Sequence, residues 1–129
     1  MYKLTALFLL ATVLVGCDAQ RGPSAELQAQ QNAAFQMMLK DPGNLETVMA
    51  YAKAATKAGD LEGAVAAYEG MLLIESDLPR VRLELGVLYY RLGSYEVART
   101  YLETGLKSPT LPPEVHSWAE QLMAKMQNR

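Results

Sequence analysis

Apolar residues along this chain fall into two regimes. From Leu4 to Val15 they form a near-continuous run with Lys3 ahead of it and the polar stretch Asp18-Ala19-Gln20-Arg21-Gly22-Pro23 behind. Twelve helical residues reach roughly 18 Å, short of the roughly 30 Å hydrocarbon core of a bilayer, so a spanning helix is the weaker reading. From Ser24 onward the apolar positions recur at helical spacing. Residues 24–40 read as one helix, opened by Pro23 and Ser24 with Gln28. Residues 113–127 read as another, primed by Pro112 and Pro113. Its apolar face carries Val115, Trp118, Ala119, Leu122 and Met126, and its polar face Glu120, Gln121 and Lys125.

Between these two helices the pattern repeats itself. When the chain is slid along itself so that Gly59 falls on Gly93, Glu62 falls on Glu96, Ala64 on Ala98, Glu69 on Glu103 and Leu72 on Leu106. Conservative matches add Asp60 on Ser94, Leu61 on Tyr95 and Tyr51 on Leu85. Leu85-Gly86, Tyr89, Gly93, Ala98 and Leu106 give the clearer unit. A period of about 34 residues in a helical sequence resembles the tetratricopeptide repeat family. The resemblance implies repeats at 45–78 and 79–112, with residues 24–40 and 113–127 as flanking, capping helices. The expected fold is all-α: a short right-handed α-solenoid of antiparallel helix pairs, about six helices over residues 24–129.

The small residues have a physical part in that fold. Gly86 and Ala98 are expected at a close crossing of two helices, and Ala52 and Ala64 at the matching crossing one repeat earlier. Gly59 and Gly93 fall between helices, where the chain needs positive φ. Asp60 and Ser94 follow at once as N-cap candidates. The first repeat departs from the family pattern at Ala55, where Tyr is usual, and at Ser76, where Pro is usual.

The end of the first apolar run carries a second resemblance. Leu14, Val15, Gly16 and Cys17 look like the lipobox of a bacterial lipoprotein, and Cys17 is the only cysteine. The alternative is a buried N-terminal helix with a chance cysteine. The lipobox reading makes residues 1–16 a signal peptide, to be set aside in fold reasoning, and 17–23 a lipidated tether. Cys17 then becomes the lipid-bearing mature N-terminus, leaving no thiol for a disulfide. In enterobacterial lipoproteins an Asp after that cysteine resembles a signal for inner-membrane retention, so Asp18 is a sorting candidate; otherwise the outer membrane is expected.

Composition narrows the function. Cleavage before Cys17 removes only Lys3 among charged residues, so the net charge moves from −2 to −3. The remainder is still long enough for one domain with its own core. No cluster of Lys and Arg supports a nucleic-acid role. His116 is the only histidine, and its i,i+4 partner Glu120 gives at most two donors, too few for a metal site. Gly-x-Ser-x-Gly, Gly-x-Gly-x-x-Gly and Walker loops do not occur. No enzyme, cofactor or metal is therefore expected.

What the family resemblance implies is a concave binding surface for a protein or peptide. Carried over residue by residue, it includes Met49, Lys53 and Lys57 from the first repeat and Leu83, Val87, Tyr90 and Arg91 from the second. Glu46 and Arg80 join them, and Ser117, Gln121 and Lys125 extend the surface. Lys53, Lys57 and Arg91 equally suit an ordinary solvated helix face, and Tyr90 equally suits packing on the last helix. Some family members clamp a C-terminal carboxylate with a Lys and an Asn one turn apart; here those places hold Met49 and Lys53, then Leu83 and Val87, so the clamp is not reproduced. The expected function is a membrane-anchored interaction scaffold of the bacterial envelope, by analogy serving pilus, secretion or outer-membrane assembly. The alternatives are a non-catalytic accessory subunit of an envelope enzyme, and a unit completed by self-association.

Overall fold

The computed structural model describes residues 22–128; Cys17, Asp18 and the proposed signal peptide lie outside the described residues. Six helices follow one another: α1 (Ala25–Lys40), α2 (Leu45–Ala58), α3 (Leu61–Ile74), α4 (Pro79–Arg91), α5 (Tyr95–Leu106) and α6 (Pro113–Gln127). Among the described residues there are no strands. None of these helices is long and apolar enough to cross a membrane. Each helix packs on its sequence neighbours, which makes the array a solenoid of helix pairs. Leu45 and Pro79, one sequence period apart, open α2 and α4, so the sequence period is the structural period.

Local chemistry explains the boundaries. Asn44 caps α2 by accepting from the Glu46 and Thr47 amides, at 2.9 and 3.4 Å. Gly59 ends α2 at φ 85°, and Gly93 turns the chain after α4 at φ 79°, a region where a Cβ is penalised. Asp60 caps α3: its carboxylate accepts from the Gly63 amide at 2.9 Å. A Cβ on residue 63 would collide with that carboxylate, so the cap depends on the glycine. Ser94 occupies the equivalent place before α5 but makes no side-chain cap bond.

The α4–α5 crossing is close and antiparallel. A Cβ on Gly86 would stand 2.6 Å from Leu102 Cδ2, and one on Gly105 would stand 2.8 Å from Leu83 Cδ2. Residue 86 thus meets 102, and residue 105 meets 83. Ala98 is fully buried at the same contact. The α2–α3 crossing is made instead by alanines, with Ala52, Ala55 and Ala64 at 1% exposure or less.

Two apolar clusters form the interior. The larger joins α2, α3 and α4 through Val48, Tyr51, Val65, Tyr68, Met71, Val81, Leu85 and Leu88. The smaller joins α4, α5 and α6 through Leu83, Ala98, Leu102, Ala119 and Met126. Between the repeats, Tyr89 and Tyr101 both donate to Glu69 Oε1, at 2.7 and 3.1 Å. Their rings stack with centroids 5.6 Å apart. One carboxylate on α3 therefore ties α4 and α5 to the first repeat. At the N-terminal end α1 buries none of its residues fully. It is held by the Phe35–Tyr51 ring contact at 5.3 Å and by a bond from Gln31 Nε2 to Asp60 Oδ2 at 2.5 Å.

Candidate functional site

A groove of about 620 Å³ lies between α2 and α4. Its α2 wall comes from Met49, Ala50, Lys53, Thr56 and Lys57. Residues 49, 53 and 57 are successive i,i+4 positions, so they stand in one row along the helix. The α4 wall comes from Arg80, Glu84, Val87, Leu88 and Arg91, which follow the same three- and four-residue spacing. Tyr68 of α3 closes the floor. A second hollow of about 320 Å³ continues past Arg80, Glu84 and Val87 to Glu114, Val115 and Trp118 of α6. The two share three α4 residues and form one surface over the first helices of successive pairs.

Of the residues expected there from sequence, Met49, Lys53, Lys57, Val87 and Arg91 stand together in the groove, as does Arg80. Leu83 does not. It is 1% exposed and packs into the α4–α5–α6 cluster, because Gly105 leaves room for its side chain on α5. Tyr90 does not line the groove either. Its ring lies 5.5 Å from Tyr95, and it packs on the second cluster at the other flank of α4. Glu46 is exposed and outside the lining. On α6, Ser117, Gln121 and Lys125 are not the continuation; Glu114, Val115 and Trp118 are.

Sequence reasoning missed Ala50, Thr56, Tyr68, Glu84 and Leu88 in the groove, and Glu114, Val115 and Trp118 in its continuation. The α6 periodicity groups Trp118 with Ala119 on one apolar face, yet Ala119 is fully buried while Trp118 is 44% exposed. The stripe 115–119–122–126 follows the core spacing by itself, and Trp118, about 100° round the helix from Ala119, lies at its margin.

Electrostatically the groove runs against the whole chain. Its lining holds Lys53, Lys57, Arg80 and Arg91 against the single carboxylate of Glu84, whereas the chain carries a net −2. Arg80 Nε bonds Glu84 Oε1 at 3.0 Å. Lys53, Lys57 and Arg91 are exposed and form no ion pair among the described residues. Burial pushes the Tyr68 hydroxyl up to about 12, with the Glu84 charge adding to the effect and Arg80 opposing it. Tyr68 is therefore a neutral floor group at physiological pH. His116 and Glu120 pair at 3.5 Å on the exposed side of α6.

The helix spacing, the turn glycines and the close crossings are those of one repeat class. The family model for the tetratricopeptide repeat matches residues 55–125. This chain belongs to the tetratricopeptide repeat family. The crystal structure of PcrH in complex with the chaperone binding region of PopD is similar over 81% of this chain and 80% of that one. The TM-score is 0.70 at 14% sequence identity, a likeness of fold. No curated protein matches the sequence. Within the tetratricopeptide frame, the groove lies on the first helices of each pair, and the Glu69–Tyr89–Tyr101 knot lies away from it, between the pairs.

Proposed function

We propose that this tetratricopeptide protein is a lipid-anchored interaction scaffold of the bacterial envelope, binding a protein segment in the groove over α2, α4 and α6. The observation that carries the binding part is the groove itself. Met49, Val87 and Leu88 give its walls apolar surface, and three exposed cations with no partner among the described residues stand on the same walls. Apolar surface with a few placed polar groups is the usual make-up of binding clefts. PcrH, which shares the fold, was crystallised with a binding region of PopD, and that lends support to a peptide occupant. The anchor rests on the lipobox resemblance of Leu14 to Cys17, and two lipid chains would hold the protein where one gives marginal binding.

A photo-crosslinking side chain at Val87, in the full chain in its own cells, tests the binding part. A discrete adduct from Val87, with none from exposed Glu103 on α5, is expected. Equal labelling from both positions would move the interaction off the groove. For the anchor, mass spectrometry of the native protein should find a lipidated Cys17 at the N-terminus; a free thiol there removes the anchor. Membrane fractionation of Asp18→Ser against wild type then reads the sorting role, and an unchanged distribution ends it.

A further inference from the structure

The groove is not uniform along its length, and the difference assigns a chemistry to its occupant. At one end, Lys57 in the last turn of α2 faces Arg91 in the last turn of α4, with Lys53 one turn behind. At the other, Trp118 and Val115 of α6 stand beside Val87, with the Glu114 carboxylate next to them, so this end holds no excess of cations. A helix C-terminus attracts cations through its dipole, which accounts for Lys57 and Arg91 individually. It does not account for Lys53. That residue sits mid-helix four positions from Lys57, a like-charge spacing that weakens a helix. Its other i,i+4 neighbour is Met49, so the helix itself supplies no compensating carboxylate.

We infer that the occupant is an acidic protein segment whose carboxylates meet Lys53, Lys57 and Arg91, with an apolar residue of the same segment seated against Trp118 and Val115. This rests on the groove reading above and adds charge and direction to it. The charge argument is one of complementarity: three exposed cations gathered on a chain of net −2 select anionic partners by attraction and repel basic ones. Three cations are too few to track a nucleic-acid backbone.

The chain has a single tryptophan, and it lines the α6 hollow that continues the groove, so its emission reports a segment that reaches α6. The probe is a random peptide library selected on the full chain in neutral detergent. Enriched peptides are resynthesised and titrated against Trp118 emission. Wild type should enrich Asp and Glu, and the acidic peptides should shift the emission. The triple variant Lys53→Glu, Lys57→Glu, Arg91→Glu, checked for unchanged helicity, should bind them about tenfold more weakly or worse and should select Lys and Arg in its own pool. Lys53→Gln alone should give an intermediate loss, which keeps the test intact if the triple variant folds poorly. Affinity should also fall as salt is raised.

Enrichment without acidic bias, or equal binding to both proteins, overturns the inference. Neutral or basic peptides that still shift Trp118 emission would defeat the acidic chemistry and leave the groove reading standing. Acidic peptides that bind without moving that emission would overturn the seating against Trp118 and Val115, and no enrichment at all, with no adduct from Val87, would defeat the groove reading itself. Sedimentation with phosphatidylglycerol vesicles, lost in the triple variant and unaccompanied by peptide binding, would make the surface a membrane contact and overturn the proposal.

Discussion

The two repeats share a period but solve the same crossing differently. Where the second repeat has Gly105, the first has Met71 at the equivalent position, which is 4% exposed and fills its own site. Where the second has Leu83, the first has Met49. Gly105 opens a hollow on α5 that Leu83 occupies. Met71 closes the corresponding hollow on α3, and Met49 stays out on the groove wall. One register position is therefore core in one repeat and groove wall in the other, decided by the residue across the helix pair. Thr56 and Tyr90 diverge in the same way. The Thr56 hydroxyl donates to the Ala52 carbonyl at 2.7 Å and the residue lines the groove, while Tyr90 turns to Tyr95.

The largest test of this contrast is Met71→Ala. It empties the site that Gly105 leaves open in the second repeat, while Met49 stays on the groove wall. A loss of about 2–5 kcal/mol is expected in chemical denaturation. A loss well under that range would mean that Met49 collapses inward as Leu83 does, making the two repeats interchangeable at this position.

Next comes the close crossing of the second repeat. Ala98→Leu puts a large side chain where Gly86 and Leu102 already touch, and should cost about 1–3 kcal/mol by overpacking. A melting temperature within error of wild type would show that the crossing is looser than its geometry indicates.

The caps give a smaller and sharper comparison. Asp60→Ala removes a bond to the Gly63 amide and the Gln31 tie to α1, so about 0.5–2 kcal/mol should be lost. Ser94→Ala, at the matching position with no cap bond, should stay within about 0.5 kcal/mol. Equal losses from the two would mean that the serine caps in solution.

The smallest effect is a difference in pH dependence. The hydrogen bond to Glu69 holds the Tyr89 hydroxyl up at about 12, and burial does the same for Tyr68. Tyr101 is raised as well, first by burial and then by its bond to Glu69. The unfolded chain releases these protons near 10, while the folded chain keeps them. Their contribution is therefore complete below pH 10 and lost as pH climbs from 10 through 12. Tyr89→Phe should lower stability at neutral pH, by loosening the tie between repeats, and make the alkaline decline shallower. An unchanged slope above pH 10 would mean that Tyr89 titrates normally in the folded state.

Much of this protein was legible in the order of its residues. Composition and periodicity gave helices throughout residues 24–127. The repeat shift placed the openings of α2 and α4, because each repeat needs the same turn glycine and the same small residues at its crossing. The row Met49, Lys53, Lys57 came from the family resemblance; the i,i+4 spacing by itself says only that the three share a helix face. The sides taken by Leu83, Tyr90 and Trp118 were not legible. Each lies at the margin of its helix's buried stripe, where periodicity assigns no side. There the outcome depends on the space offered by another element: Gly105 admits Leu83, Tyr95 draws Tyr90 aside, and the core stripe of α6 closes with Ala119, leaving Trp118 on the groove. A helix's own sequence states which positions share a face, but the neighbouring helix decides where that face stops being core.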